Sequence, residues 1–389
     1  MELNIKAEEF DRLIRGKNIN FLIGAGASSP IYPTLSFGYE YPSFEDIVSN
    51  QNLSFYSRTF MYMYYLENWL KPMSVDREDF YNNIENNEEY KNVIKNYERF
   101  INVLYNFLQC ESNELPKRIN IFTTNYDLIF ERTFDEFLLK NPLIYFNDGS
   151  RGFFRKYISN KNYYLNVTHS GYNDNYRREV PTINLFKLHG SLSWESIDNK
   201  NIEVIEYNNT ITLLDKIMDD VGIYLEDIKD IINNSKDTNL NNFVKNLNSN
   251  VKKFFDNNFL LDDDLLNQFN NKYNELIIIN PNKYKFSKTV SEQHYYQLIR
   301  AFSYELEKKQ TILIVFGFSF ADEHIRDIFE RSLLNPELQV IIITYSLYDQ
   351  NKLKSFFRGY KNIIFLPEFS SDEAGDFNFL LDLLGDENE

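Results

Sequence analysis

Cysteine is almost absent from this chain of 389 residues, which contains only Cys110. One thiol cannot form a disulfide within the chain, and it cannot supply the four cysteine ligands of a structural zinc site. Histidine is scarce as well, with four residues, so few imidazole groups are candidates for acid–base chemistry. We therefore expect neither a structural zinc nor another metal site.

Long hydrophobic runs and an excess of basic charge are also missing. No uninterrupted apolar run reaches the roughly 18 residues that a membrane-spanning helix needs. The opening residues mix acidic and basic side chains, so we expect no signal peptide and a cytoplasmic protein. With 41 basic and 57 acidic residues the net charge is −16, which predicts no direct nucleic-acid binding unless basic residues cluster in space.

The residues that are present favour a large α/β fold. Hydrophobic residues make up 43% and aromatic residues 16% of the chain, which is ample for a substantial core. Apolar runs that predict strands alternate with segments long enough for crossover helices, and this alternation predicts a Rossmann-like parallel sheet flanked by helices. The late strands are predicted at residues 276–279, 311–316, 340–344 and 363–366.

Two helical insertions are predicted to interrupt the sheet domain. The first covers residues 35–118, where apolar residues from Val93 to Leu108 recur at helical spacing. The second covers residues 195–273, which are rich in asparagine but keep helical apolar spacing. The predicted α/β domain is therefore assembled from residues 1–34, 119–194 and 274–389.

A glycine turn follows the first predicted strand, within residues 18–29 (NINFLIGAGASS). Gly24 and Gly26 carry no Cβ, so a nucleotide phosphate can approach the backbone amides between them. Ser29 stands where the usual GxGxxG pattern has its third glycine, and Pro30 follows, so a long helix need not begin here. A purely structural connection from strand to loop is the alternative interpretation.

Two further motifs end apolar runs in polar residues. Residues 119–127 (INIFTTNYD) place Asn125 and Asp127 where they can reach a ribose hydroxyl, a water or a leaving group. The alternative is that Asp127 caps a helix, and the two interpretations are compatible. Residues 184–191 (NLFKLHGS) place His189 at a strand end. His189 is the best candidate for a general base, with a structural histidine as the alternative.

A fourth motif lies in residues 311–326 (TILIVFGFSFADEHIR). Its apolar run breaks at Gly317 and Ser319, which are candidates for contact with a ribose or phosphate. Asp322 and Glu323 then favour a helix N-terminus, and His324 is expected to point to solvent.

The order of these motifs, GAGAS, TTNYD, KLHGS and GFS, resembles that of the sirtuin superfamily, and more closely its bacterial branch in anti-phage defence. The resemblance covers most of the chain in discontinuous pieces. It implies that the dinucleotide NAD is held by the glycine turn, through Gly24, Ala25, Gly26 and Ser28. It further implies that Asn125, with Asp127, positions the nicotinamide ribose or a water, that His189 is the base, and that Gly317 and Ser319 line the ribose and adenine side.

The chain departs from the sirtuin deacetylases in three respects. It lacks their four zinc-binding cysteines, residues 30–34 lack their arginine-bearing stretch, and the second motif reads TTN in place of TQN. These departures favour hydrolysis of NAD itself over protein deacylation.

The resemblance therefore predicts an NAD+ glycohydrolase that releases nicotinamide and ADP-ribose, with NAD+ as substrate, and that depletes NAD as an anti-phage effector. It also implies a homo-oligomer that works with a hexameric DNA-translocating ATPase or another sensor protein. Two alternatives remain: a module that senses NAD or ADP-ribose without turnover, and an NAD-dependent protein deacylase.

Overall fold

The computed structural model describes residues 7–32, 37–38, 40–111, 116–197, 201–206, 208–221, 225–257, 263–281, 293–368 and 374–386. The strands in these residues are β1 Asn18–Ile23, β2 Arg118–Thr123, β3 Tyr145–Asn147, β4 Ser150–Arg151, β5 Lys156–Ile158, β6 Thr168–His169, β7 Arg178–Glu179, β8 Thr182–Lys187, β9 Trp194–Ser196, β10 Ile202–Val204, β11 Thr311–Phe316, β12 Leu338–Ile343 and β13 Ile363–Leu366.

Helices connect and cover these strands. The α-helices are Ala7–Ile14, Phe44–Val48, Phe55–Tyr65, Lys71–Met73, Arg77–Glu85, Glu88–Cys110, Ile129–Lys140, Asn209–Val221, Leu225–Asn233, Leu240–Asn257, Asp263–Tyr273, Gln293–Leu306, Glu323–Ser332, Leu347–Phe356 and Phe377–Leu383. Short 3-10 helices lie at Ala25–Ser28, Asn160–Tyr164 and Tyr172–Asp174, and a π-helical turn at Leu66–Leu70. Within the described residues, no helix is both long and apolar enough to cross a membrane.

The chain packs as two compact units. The first consists of Met1–Ile31, Tyr81–His189 and Gln293–Glu389, and the second of Tyr32–Phe80 and Gly190–Glu292. The first unit holds the central sheet and also the helix Glu88–Cys110, which the sequence analysis assigned to the insertion 35–118. The second unit is mainly helical, with the hairpin β9–β10.

The central sheet has seven strands in the order β13-β12-β11-β1-β2-β8-β3, and all of its pairs are parallel. Every residue of β8 and β11 is buried, as expected for strands of a parallel sheet that helices cover on both faces. The predicted α/β fold with a Rossmann-like parallel sheet is therefore confirmed.

Beside β1 the chain changes the side of the sheet to which it adds successive strands. After β1 the chain adds β2, β3 and β8 on one side, and then β11, β12 and β13 on the other. In open α/β sheets, ligands bind outside the carboxyl ends of the strands at such a switch point. The ends of β1 and β11 are thus the natural position for a ligand site.

The strands around this point end at the same level. Register pairs Phe316 with Ile23, Ile23 with Thr123, and Thr123 with Lys187. Neighbouring strands lie about 4.8 Å apart, so four successive loops leave the sheet side by side. The four sequence motifs are therefore brought to one edge.

A row of buried asparagines crosses the same sheet. Asn20, Asn120, Asn184 and Asn147 occupy paired positions on β1, β2, β8 and β3. Three of the Nδ2 groups donate to the Oδ1 atom of the neighbouring asparagine: Asn120 to Asn20 at 2.8 Å, Asn184 to Asn120 at 2.8 Å, and Asn147 to Asn184 at 2.9 Å. The row satisfies polar groups that burial would otherwise leave unpaired.

Most of the predicted elements are confirmed. The strands at 311–316 and 363–366 match β11 and β13, and the helix Glu88–Cys110 buries all seven apolar residues that predicted it. The predicted strand at 276–279 is wrong, because Ile278 forms only an isolated antiparallel bridge with Gly190. Three of the four apolar residues, Leu276, Ile278 and Ile279, are therefore buried in the core there without joining a described sheet.

Candidate functional site

The glycine turn after β1 lies directly against the loop after β11. Gly24 donates its backbone N–H to the carbonyl of Phe316 at 3.0 Å, and Gly26 donates to the carbonyl of Gly317 at 3.0 Å. The turn then forms the short 3-10 helix Ala25–Ser28. Two sequence motifs almost 300 residues apart are thereby hydrogen-bonded at the switch point.

The close approach of these loops explains why glycine occupies three positions. A Cβ at Gly24 would lie 2.4 Å from the Gly317 carbonyl oxygen, and a Cβ at Gly26 would lie 2.9 Å from the Gly317 Cα. Gly317 has φ +63°, and its own Cβ would lie 2.6 Å from the backbone nitrogen of Ala27. The sequence predicts that the clearance at Gly24 and Gly26 admits a phosphate, whereas in the structure the neighbouring backbone already requires it.

Ser28 joins the glycine turn to the TTNYD loop. Its Oγ donates to Asp127 Oδ2 at 2.8 Å and accepts from Asn125 Nδ2 at 3.1 Å. The hydroxyl of Tyr97, on the helix Glu88–Cys110, lies 3.0 Å from the same Oγ. All four side chains are buried, so the network holds predicted site residues in fixed positions.

The amide of Asn125 has a defined orientation. Its Nδ2 group also donates to the carbonyl oxygen of Gly24 at 3.1 Å, and since a carbonyl only accepts, this contact fixes which amide atom is nitrogen. The backbone N–H of Asn125 donates to Thr123 Oγ1 at 3.0 Å. The side-chain Oδ1 is consequently the atom of Asn125 that is left to accept a hydrogen bond from a ligand or water.

The two carboxylate oxygens of Asp127 make different contacts. Its Oδ1 accepts from the backbone N–H of Ile129, the first residue of the helix Ile129–Lys140, at 3.2 Å, while its Oδ2 faces Ser28. The helix-cap interpretation is therefore confirmed, and the same carboxylate also belongs to the buried network around Ser28.

Lys187 supports the TTNYD loop from the end of β8. Its Nζ contacts the backbone carbonyl oxygens of Asn125, at 3.5 Å, and of Asp127, and it forms an ion pair with Glu131 at 3.1 Å. Burial raises the pKa of the Glu131 carboxyl, and the Lys187 ammonium opposes part of that rise. A buried cation thus holds the loop that carries Asn125.

His189 lies two residues beyond β8, and its neighbour Leu188 donates a backbone hydrogen bond to Thr123 at 2.8 Å. The ring is buried, and its Nε2 atom lies 3.1 Å from Oδ2 of Asp322, which is buried as well. Asp322 begins the helix Glu323–Ser332, where its Oδ1 accepts from the backbone N–H groups of His324 and Ile325. The predicted helix start is confirmed, and the same carboxylate reaches the candidate base.

The remaining predicted residues lie on the surface of this edge. Ala25 is exposed in the glycine turn, and Ser319 is exposed beyond Gly317. Ser319 Oγ accepts from the backbone N–H of Ala321 at 3.4 Å, so its hydroxyl organises the local turn. Gly24, Gly26, Ser28, Asn125, Asp127 and Gly317 form one hydrogen-bonded cluster, and His189 with Asp322 forms a second at the same edge of the sheet.

The sequence motifs do not indicate a site role for three of the residues found here. Lys187 is predictable from the sequence, because a lysine inside an apolar strand must be paired when it is buried. Tyr97 was identified only as part of an apolar helix face, and Asp322 only as a helix cap. Their contacts with Ser28 and His189 depend on tertiary structure.

A cavity of about 300 Å³ lies at the opposite, amino-terminal edge of the sheet, lined by Lys17, Gln310, Pro336, Glu337, Leu338, Gln339 and Asn362. Ligands of open α/β sheets bind at the carboxyl edge, so we do not assign the function to this cavity. The described residues contain no cluster of three histidine, cysteine or acidic residues that is able to hold a metal ion.

No protein-family model matches the chain, and no curated protein matches it. The site therefore has to be interpreted from the chemistry of its own residues.

Proposed function

We propose that this protein is an NAD+ glycohydrolase, which cleaves the bond between nicotinamide and ribose and releases nicotinamide and ADP-ribose. One observation carries the proposal: Asn125 and His189 leave adjacent strands at the carboxyl edge, beside the switch point, and each is held by buried polar groups. The resemblance of the four motifs to the sirtuin superfamily supplies the substrate.

This reaction requires the protein to hold the reactants in position and to supply a base, and little else. Water attacks C1′ of the nicotinamide ribose, the glycosidic bond breaks, and its electron pair neutralises the pyridinium nitrogen of the leaving nicotinamide. The water proton passes to His189. Because the leaving group is already cationic, no acid is needed to protonate it.

Asn125 suits the task of positioning the attacking water. Its Nδ2 group is occupied by Gly24 and Ser28, so the rigid amide presents Oδ1 as an acceptor. A water held in this way has a fixed orientation toward C1′, and such positioning lowers the entropic part of the barrier.

The wider biological role rests on the resemblance alone. We propose a cytoplasmic anti-phage effector that depletes NAD, acts as a homo-oligomer, and is controlled by a hexameric DNA-translocating ATPase or another sensor protein. The departures from the deacetylases and the single cysteine favour hydrolysis over deacylation.

The first test measures nicotinamide and ADP-ribose by chromatography after the purified chain is incubated with NAD+. We expect release by wild type, and a fall of about 10²–10⁴-fold in kcat for His189→Ala, because the positioned base is lost. Asn125→Ala should fall similarly. His169→Ala and Asn175→Ala, which change exposed residues outside the site, are the matched controls and should keep wild-type rates.

Three results would contradict the proposal. Equal turnover by wild type and the site variants would remove the assigned roles of Asn125 and His189. Tight NAD+ binding without cleavage, measured by calorimetry, would favour the sensor module, and NAD-dependent deacylation of an acetylated peptide would favour the deacylase.

A further inference from the structure

The contact between His189 and Asp322 determines where the proton of the neutral imidazole resides. Nε2 lies 3.1 Å from the carboxylate oxygen Oδ2, with both side chains less than a tenth exposed. This is an ion-pair distance whose angles do not meet those of a hydrogen bond, so the constraint is electrostatic: a carboxylate oxygen this close repels the lone pair of an unprotonated nitrogen and attracts an N–H group. The arrangement is favourable only when Nε2 carries a proton.

Asp322 is itself held in one orientation. Its Oδ1 accepts from the backbone N–H groups of His324 at 3.0 Å and Ile325 at 3.3 Å, so the carboxyl group is fixed to the start of its helix. The positive end of the helix dipole favours the ionised carboxylate there. Oδ2 is the oxygen that remains to face His189.

From this geometry we infer that Asp322 is a positioning residue that holds neutral His189 in the Nε2–H tautomer, so that Nδ1 is the basic atom of the site. This inference rests on the proposed function for the identity of the reaction, but the tautomer itself is a property of the free protein. Buried carboxylates fix the tautomer and orientation of catalytic and metal-binding histidines in the same way.

Two substitutions at Asp322 separate a positioning role from a structural one. Asparagine and serine both cap helices well, so Asp322→Asn and Asp322→Ser should each keep the helix start. In Asp322→Asn, Oδ1 continues to cap the helix and Nδ2 takes the place of Oδ2. That amide donates a proton toward Nε2 and thereby favours the opposite, Nδ1–H tautomer.

The inference therefore predicts that Asp322→Asn, whose side chain is closer in shape to aspartate, is less active than Asp322→Ser. We expect Asp322→Asn to lower kcat by up to about 10⁴-fold, the scale known for the same replacement in a Ser-His-Asp triad, because the basic atom is lost. Asp322→Ser lets the ring sample both tautomers and should lose less. KM should stay near the wild-type value in both, since the role inferred for Asp322 acts on the base His189 and not on the binding of NAD+. A purely structural role predicts the reverse order.

The direct measurement is NMR of ¹⁵N-labelled histidine in the full chain without NAD+, with the His189 signals identified by their loss in His189→Gln. We expect the Nε2–H tautomer in wild type and the Nδ1–H tautomer in Asp322→Asn. A wild-type ring protonated at Nδ1, or a tautomer that Asp322→Asn leaves unchanged, would overturn the inference. If the tautomers behave as expected but the wild-type protein does not cleave NAD+, the positioning role stands and the proposed function fails.

Discussion

Lys187 carries a positive charge into the interior at the end of β8. Its side chain is 3% exposed, and its partners are two backbone carbonyl oxygens and Glu131. Burial raises the pKa of Glu131 despite this cation, so desolvation of the carboxyl outweighs their attraction. The pair contributes by holding the loop in position. Removing one partner is destabilising, because the other charge is left uncompensated.

Lys187→Met keeps the length of the side chain and removes its charge. We expect a loss of about 3–5 kcal/mol in the free energy of unfolding at neutral pH, measured with urea, because Glu131 and two carbonyl groups lose their partner. Lys91→Met, which removes a surface lysine paired with Glu88, is the matched control and should change stability by less than about 0.5 kcal/mol. An equal effect of the two substitutions would contradict this account.

Glu131 also predicts a pH dependence with a defined sign. Its folded pKa lies above the usual value of 4.5, so the unfolded chain releases this proton at a lower pH than the folded protein. The stability of wild type relative to Glu131→Gln should therefore be highest below pH 4.5 and should fall as the pH rises through the raised pKa. Urea unfolding of both proteins across this range measures the difference in their free energies of unfolding. A stability advantage of wild type that grows with pH would contradict the prediction.

At the scale of elements, the asparagine row aligns four strands. A shift of one residue in any pairing would place an asparagine against an apolar side chain and leave amide groups unpaired. The row therefore favours one register in a sheet whose apolar residues alone would tolerate several. Asn120 contacts an asparagine on each side, and its Nδ2 group also donates to Glu305 at 3.2 Å.

Asn120→Leu replaces this residue with an apolar side chain of similar volume. We expect a loss of about 2–4 kcal/mol, because Asn20 and Asn184 each keep a buried polar group without its partner. Thermal and urea unfolding measure the loss, and the exposed substitution Asn175→Leu is the control. If Asn120→Leu proved neutral, the amide row would have no role in stabilising the sheet.

At the scale of the whole molecule, charge is unevenly distributed along the chain. The net charge is −16, yet residues 151–178 contain six arginines and lysines and one acidic residue. Most of this segment is exposed, including Phe153, Phe154 and Tyr172. The rest of the molecule is consequently more acidic than the total suggests, and repulsion among its carboxylates opposes the compact state.

Added salt should therefore stabilise this protein. We expect the Tm to rise as NaCl is increased from about 20 to about 300 mM at neutral pH, since the Debye length shortens over this range. Differential scanning calorimetry of the full chain measures the change. A Tm that falls with salt would show that attractive ion pairs outweigh the repulsion.

The parts of the fold that the sequence predicts are those with a local signal. The helix Glu88–Cys110 repeats its apolar residues every three or four positions, and β11 is an apolar run that ends at a glycine. The run at 276–279 has the same composition as a strand, but composition cannot tell whether a neighbouring strand is there to pair with it. That prediction failed for this reason.

The sequence by itself determined the α/β class, the four motifs at strand ends and the start of the helix at Asp322, because caps and periodicity involve residues within a few positions of one another. Only the tertiary structure decided that the backbone at Gly317 leaves no room for a Cβ at Gly24 and Gly26, that Tyr97 contacts Ser28, and that Asp322 faces His189. These contacts join residues about 70 to 300 positions apart. They depend on strand order and register, which arise when the whole sheet assembles.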